Sequence, residues 1–520
     1  MPPSSTAGAG AGADAEVIVI GSGIGGLCCA GLCARAGREV LVLEAHSQPG
    51  GAAHGFRRGG YHFESGPSLW SGLGRWPSTN PLAQILRALD EQLEVMPYHD
   101  WEVRLPEGNL RIGVGQAPFA EVVGQLRGPA VEREWRAFLE ALRPVAAAAE
   151  ALPLLALGPG GLASGDLLRR GGPLLAHLPA LRHLSGPFGP LVDRHLRDPF
   201  LRHWVELLAF LISGLGLGDT NAAAMASLFG EWFRPDAVLE MPRGGSAGVV
   251  AALVRGLERH GGQLRLQAPV RGLLLEDGRV VGVRLESGEP LRAAHVVSNA
   301  DAWGTAALLP DGVADRWRRE RLATPACGSF LHLHLGLDAT GLNDLPVHLV
   351  WVGDWQRGIA AERNVLVFSI PSVLDPALAP PGHHGLHAYS PANEPWALWQ
   401  HLTPGSEAYQ RLKQERCGLF RQVLEQRIPD LSQRMRLELQ GTPHSHRRFL
   451  RTHQGSYGPA LSAAKGLFPD GRTPLAGLWQ CGASTFPGIG IPPVAASGAM
   501  AAHGILGRRA QGELLTSLGL

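Results

Sequence analysis

Glu16-Val17-Ile18-Val19-Ile20-Gly21-Ser22-Gly23-Ile24-Gly25-Gly26 decides how this chain is read. An apolar run of strand length ends in a Gly-x-Gly-x-x-Gly loop. The small-residue stretch that follows, Leu27 to Ala34, has helical length and stops at Gly37. Such a strand–loop–helix turn presents free amide groups and a partial positive charge where phosphates bind. Gly21 permits the tight turn, Gly23 lets the backbone approach a pyrophosphate, and Gly26 lets the helix pack closely on the strand. A second apolar run, Val40 to Leu43, ends at Glu44, roughly 20 residues on, where an acid grips ribose hydroxyls and repels a 2′-phosphate.

The other end of the 520-residue chain complements this turn. Gly477-Leu478-Trp479-Gln480-Cys481-Gly482 leads to Phe486-Pro487-Gly488-Ile489-Gly490-Ile491-Pro492-Pro493. One glycine loop is weak evidence of a ligand; two complementary halves read as a single dinucleotide site of the flavoprotein kind. No second strand-linked Gly-x-Gly-x-x-Gly occurs, so a dedicated NAD(P)H domain is not expected.

Composition sets the outer limits. The length suits two or three lobes or interleaved domains with ample core. A net charge of +1 gives no argument for a nucleic-acid partner. The basic charge is almost all arginine, with only Lys413 and Lys465 as lysines. The six cysteines include no Cys-x-x-Cys pair, which fits a reducing compartment and counts against a thiol–disulfide flavoenzyme, a disulfide framework and a metal cluster. No uncharged apolar run reaches the length of a membrane span, so no transmembrane helix is expected; Leu207 to Gly218 is too short.

The fold class expected is α/β, with interleaved segments. Residues 1–13 read as a flexible tail. Segments 14–97, 238–310 and 466–520 carry the nucleotide-binding elements, including hairpin turns at Asp277-Gly278 and Ser287-Gly288. Segments 98–237 and 311–465 form a second, α+β domain. Its first part reads as helical and leucine-rich, with short amphipathic helices marked by Leu167, Leu168, Leu174, Leu175, Leu178, Leu181 and Leu184. Its second part mixes strands such as Phe330 to Leu335 and Val365 to Ile370 with a helix over Ser406 to Ile428.

These residues carry a family resemblance that spans nearly the whole chain after residue 15. The glycine loop, Glu44, Pro49-Gly50-Gly51, Gly66-Pro67-Ser68 and the C-terminal motif together resemble the flavin amine oxidase and phytoene desaturase superfamily. Phe486 to Pro492, Val494-Ala495-Ala496-Ser497-Gly498, His332-Leu333-His334-Leu335-Gly336, Pro371-Ser372-Val373-Leu374, Leu378-Ala379-Pro380-Pro381-Gly382, His387-Ala388-Tyr389, Arg448-Phe449-Leu450-Arg451 and Tyr457-Gly458-Pro459 are similar to its carotenoid isomerase (prolycopene isomerase) branch.

The resemblance implies a discontinuous Rossmann-type FAD-binding domain of the glutathione reductase 2 and amine oxidase kind, with an α+β substrate domain. Carried over by position, Gly21, Ser22, Gly23, Gly25, Gly26, Glu44 and Ala45 would hold the ADP half of FAD. Gly50, Gly51, Ala52, Gly66, Pro67 and Ser68 would line the flavin, and the Val270 backbone would meet adenine. Asn299 belongs to the same expected site. Gly482, Ala483 and Ser484 would meet ribityl and phosphate, Gly490, Ile491 and Pro492 would belong to the same site, and the helix starting near Pro493 would aim its positive end at the isoalloxazine carbonyl.

Three positions depart from the superfamily pattern. Ala483 replaces an acid that hydrogen-bonds the cofactor, a loss of about 1–3 kcal/mol. Glu64 stands where an aspartate is usual. Ala52 replaces the arginine of true amine oxidases, which lowers the amine hypothesis.

Other side chains invite sharper readings. His332 and His334 alternate on a strand and face one side; a packed pair outweighs metal ligation because no third ligand shows spacing. Tyr61-His62-Phe63-Glu64 reads as a strand leading to the flavin loop, with Glu64 structural rather than facing substrate. His444, His446 and His453 lie in the segment expected near the flavin face and are acid/base candidates beside the bland reading of an arginine-rich surface. The leucine-rich 151–215 region suits a helical lid or a membrane-dipping entry for a lipid substrate equally.

No catalytic triad is evident, and the substrate lobe is apolar and poor in tyrosine, which suits a long hydrocarbon. Three functions are compatible with the residues: FAD-dependent cis–trans isomerisation of a carotenoid or similar polyene through reduced flavin, desaturation or saturation of such a polyene, and an inactive flavoprotein homologue or polyene-binding protein. Peripheral membrane association is left open. The location expected is a plastid membrane surface in a photosynthetic eukaryote and the cytoplasm otherwise.

Overall fold

The computed structural model describes residues 13–66, 68–159, 177–234 and 236–520. Pro67, the tail over 1–12 and four of the marked leucines (Leu167, Leu168, Leu174, Leu175) lie outside the described residues.

The opening run forms the strand Ala15–Ile20, buried on both faces, which is why it reads as continuously apolar rather than alternating. It lies between Val40–Leu43 on one side and the strand Pro290–Ser298 on the other, parallel to both. Gln263–Arg265 extends the sheet beyond Val40–Leu43, and the C-terminal strand Leu478–Gln480 pairs in parallel with Val296 to Ser298. The first half of Pro290–Ser298 instead joins an antiparallel meander with Val270–Glu276 and Arg279–Leu285. Both predicted hairpin turns occur where expected; Asp277 and Gly278 adopt φ of 48° and 74°, as a tight primed turn requires.

The helix Ile24–Arg35 is buried along nearly its whole length. Its small residues are explained by its place between the sheet and the C-terminal helix Ile491–Leu518, which breaks direction at Gly507. The backbones of these two helices almost touch: a Cβ added to Gly498 would stand 2.2 Å from the Gly25 carbonyl oxygen. All six cysteines are buried thiols, three of them on this helix.

A second, mixed sheet runs in the order Met435–Gly441, Ser329–Asp338, His383–Glu394, Val365–Ser369, His348–Val352, Asp100–Leu105, Gly108–Gly113. The last two strands correct the reading of 98–237 as helical from its start. Trp101, Val103 and Leu105 alternate with Asp100, Glu102 and Arg104, and a two-residue connection returns the chain into the neighbouring strand. The hairpin pairs in parallel with His348–Val352, a partner far away in sequence that no local signal reveals.

Beyond the hairpin the segment is helical. Helices Gln116–Arg127, Pro129–Glu150, Pro199–Ser213 and Ala222–Trp232 close around Phe119, Trp135, Phe138, Trp204 and Phe229. The Leu207 to Gly218 stretch belongs to this core. Among the described residues no helix is long and apolar enough to cross a membrane.

The two faces of the second sheet differ in chemistry. Leu331, Leu333, Leu335 and Leu337 face the helix Glu407–Glu425 in one apolar core. On the other face, His332 and His334 meet His387 of the adjacent strand and His446 of the helix Pro443–Leu450. Ring centroids are 5.2 Å apart for His332–His387, 4.5 Å for His334–His387 and 5.3 Å for His332–His446. His332 Nδ1 and His387 Nε2 share a hydrogen bond of 3.0 Å, and His334 Nε2 donates to the Glu64 carbonyl at 2.9 Å. The pair expected from alternation is thus packed into a column of four rings.

Burial holds these histidines neutral. His334 and His446 are lowered to about 4, and His332 and His387 lie well below their ordinary value of 6.5. Because the folded-state values are depressed, their contribution to stability is complete above 6.5 and is lost as pH falls towards about 4. Urea unfolding followed across that window should show stability falling steeply, and His446→Gln should reduce the slope by about one proton. In the same assay at neutral pH, Gly498→Ala should lower stability by roughly 1–3 kcal/mol, because the new methyl meets backbone rather than a movable side chain.

Candidate active site

The cradle for a dinucleotide is built from the C-terminal ends of the parallel strands, where α/β sheets bind ligands. Gly21 turns the chain at φ 91°, and the helix Ile24–Arg35 begins at once. Glu44 follows the next strand with its carboxylate fixed by three donors. Oε2 accepts from the Ser22 amide at 2.8 Å and the Ser22 hydroxyl at 2.6 Å, and Oε1 accepts from the His46 amide at 2.8 Å. Asn299, just past Pro290–Ser298, inserts its side-chain amide between the two halves. A Cβ on Gly23 would stand 2.6 Å from Nδ2, and one on Gly482 would stand 2.8 Å from Oδ1. The C-terminal half is braced from below, since the Gly482 amide donates to Ser497 Oγ at 2.8 Å.

A cavity of about 1270 Å³ opens over this cradle. Of the residues expected from sequence, Gly21, Gly23, Glu44, Ala45, Gly50, Gly51, Ala52, Gly66, Ser68, Val270, Asn299, Gly482, Ala483, Gly490, Ile491 and Pro492 lie on its wall. Ser22, Gly25 and Gly26 do not. Ser22 sits beneath the loop on Glu44, Gly25 packs against Gly498, and a Cβ on Gly26 would meet the Gly21 carbonyl oxygen at 2.2 Å. Ser484 is also turned away, accepting the Ala302 amide at 2.9 Å.

The donor set suits FAD. The cavity receives the N-terminal ends of two helices, Ile24–Arg35 and Ile491–Leu518, which meet phosphate charge and an electron-rich ring through backbone dipoles. Ala52 and Ala483 line the cavity without adding a charge to it. Glu64 stands apart from the wall. Its Oε1 accepts from the amide and hydroxyl of Ser246 at 2.8 and 2.9 Å, so it caps the helix Gly245–Arg259, and burial raises its pKa.

Beyond the cradle the same cavity is walled by Leu208, Leu211, Ile212, Leu228, Trp101 and Trp232 from the helical segment and the hairpin, together with Glu150 and Glu231, which both pair with Arg234 at 3.5 and 3.2 Å. Where the two parts meet, the second sheet contributes Phe330 and Tyr389, and the helix Pro443–Leu450 contributes His446. Tyr389 Oη lies 3.2 Å from Ser68 Oγ, and burial pushes its phenol up to about 12. His446 places Nδ1 3.0 Å from the Gly455 carbonyl, so Nδ1 carries the proton and Nε2 is left as an acceptor.

The three candidate histidines therefore separate. His446 lies on the wall. His444 bonds the Trp399 carbonyl at 2.8 Å, outside the cavity. His453 stacks on Trp303 at 4.5 Å, with its amide donating to Asp301 at 2.7 Å. Sequence reading missed Phe330 and Tyr389 as wall residues, along with the meeting of His387 with His332 and His334. The period-two pattern His387-Ala388-Tyr389 beside His332-Leu333-His334 is the available signal, but the register that brings the strands together, His334 opposite His387, is not local.

Comparison with known proteins agrees with this architecture. The family model for flavin-containing amine oxidoreductases matches residues 24–506. The chloroplastic prolycopene isomerase of Arabidopsis thaliana is 30% identical over 500 residues, covering 94% of this chain and 82% of that protein. The lycopene-forming phytoene desaturase of Pseudescherichia vulneris is 27% identical over 508 residues, covering 92% and 96%. Among solved structures, cyclohexylamine oxidase from Brevibacterium oxydans superposes with a TM-score of 0.55 at 16% identity, covering 98% of this chain and 100% of that one. The nucleotide-binding sheet, the separate mixed sheet and the sequence match over nearly the whole length make one conclusion: the chain belongs to the flavin-containing amine oxidoreductase family.

Proposed function

We propose that this protein is an FAD-dependent cis–trans isomerase of a carotenoid or similar long polyene, working with reduced flavin. The observation that carries the reading is the continuity of one cavity from a dinucleotide cradle into a mostly apolar channel, with Tyr389 and His446 held neutral where the two meet. The likeness to prolycopene isomerases supports the same substrate class.

When bound, reduced FAD supplies transient electron or proton exchange that lowers the order of a conjugated double bond and restores it without net redox change. The protein's part is to position and to exclude water. Leu208, Leu211, Ile212 and Leu228 hold a hydrocarbon chain by burial alone. Tyr389 and His446 stay uncharged near neutral pH and neither repel the chain nor demand solvation. A substrate of this class is drawn from a lipid phase, so peripheral association with a membrane follows, at the plastid surface in a photosynthetic eukaryote.

The relatives include net-redox enzymes, so the test separates the two chemistries. Anaerobic incubation of prereduced holoenzyme with a poly-cis polyene should give many turnovers of isomerised product while the flavin spectrum stays reduced. Stoichiometric flavin oxidation would identify a saturase instead, and protein that neither carries nor regains a flavin spectrum would leave only a binding role. Polyene binding, followed by fluorescence quenching, should be flat from about pH 6 to about pH 10, because His446 titrates near 4 and Tyr389 near 12.

A further inference from the structure

We propose that Phe449 is an aromatic cap for the adenine of FAD, supplied to the nucleotide site by the helix Pro443–Leu450 of the second-sheet side. The inference rests on the cofactor reading above. Phe449 is 46% exposed, one of few large apolar side chains left in solvent among the described residues, yet it lines the cavity at the end marked by Glu44 and Val270. Its ring meets His46 edge-on, with centroids 5.5 Å apart and planes at 80°. His46 is the residue whose amide helps to fix Glu44. The Arg448 guanidinium lies 5.4 Å from the same ring.

The end of this helix is tied to the nucleotide-binding side. Arg451, at φ 55°, pairs at 3.0 Å with Glu286 in the turn of the antiparallel meander, whose first strand starts at Val270. Phe449 is thus held over the part of the cavity where a ribose on Glu44 would put its base. A purine has an apolar face without side-chain specificity, and stacking on an aromatic ring is the ordinary way proteins take hold of one. Even with His46 on its edge and Arg448 beside it, the ring leaves nearly half its surface in water; a base laid against it removes that exposure.

Apo-protein titrated with FAD and with FMN, which lacks the adenine, tests the assignment through flavin fluorescence. Phe449→Ala should weaken FAD binding by about tenfold and leave FMN binding unchanged. Phe449→Trp should retain FAD affinity, and Phe449→Leu should lose most of it although it stays apolar. Equal weakening for FAD and FMN, or FAD affinity unchanged in Phe449→Ala, would overturn the proposal while the cofactor reading stands. Wild-type protein that binds no FAD would overturn both. Unfolding midpoints of the apo-variants should match wild type, since the ring is exposed before ligand arrives.

Discussion

Everything in this molecule depends on one strand, Pro290–Ser298, finding two partners at its far end. Its last residues pair on one side with the opening strand and on the other with Leu478–Gln480, so three segments distant in sequence become neighbours in one parallel sheet. The entropy of closing such long loops is repaid by continuous burial: Val17, Ile18, Val19, Val296 and Val297 are removed from water altogether. Once that sheet exists, the glycine loop, Glu44, Asn299 and Gly482 lie side by side at its carboxyl edge. Asn299 is the visible consequence, a side chain from the middle strand wedged between loops from the first and last.

The second sheet answers a different demand. Its leucine face makes a core with the helix Glu407–Glu425, while its other face turns polar rings inward without charging them. The polyene proposed as substrate offers no ion pair and few hydrogen bonds, so the wall should present no unpaired charge, and its Glu150 and Glu231 are both paired with Arg234. Neutral imidazole and phenol satisfy that requirement, with His334 and His446 each tied to a backbone carbonyl. The departures at Ala52 and Ala483 act in the same direction at the cradle, leaving helix dipoles and backbone amides to meet the cofactor's phosphates.

Much of this was legible in the sequence because the decisive signals are local. The glycine loop, the acid ending the second strand, the Asp277-Gly278 and Ser287-Gly288 turns and the helix capped by Ser406 each declare themselves within a few residues. What was not legible depends on register between distant strands. The hairpin over Asp100–Gly113 was hidden by the helices that follow it, and its place beside His348–Val352 is fixed only by tertiary pairing. Ser22, Gly25 and Gly26 belong to a motif whose outward and inward residues look alike on paper; only the packing of Gly498 and the position of Glu44 show which way each one turns. His446 could not be told from His444 and His453 by sequence, since all three sit in the same arginine-rich stretch and only distant partners separate their fates: the Gly455 carbonyl for His446, the Trp399 carbonyl for His444 and the Trp303 ring for His453.

The hydrogen bond between His332 and His387 has a property that a bond between unlike groups lacks. Each neutral ring owns one proton and one lone pair, so either could donate and the other accept, and the choice is set by the tautomers in which the two rings are buried. Moving the shared proton alone would leave an imidazolium beside an imidazolate, two ions that burial forbids, so the folded pair keeps one orientation and presents a fixed local dipole behind the cavity wall.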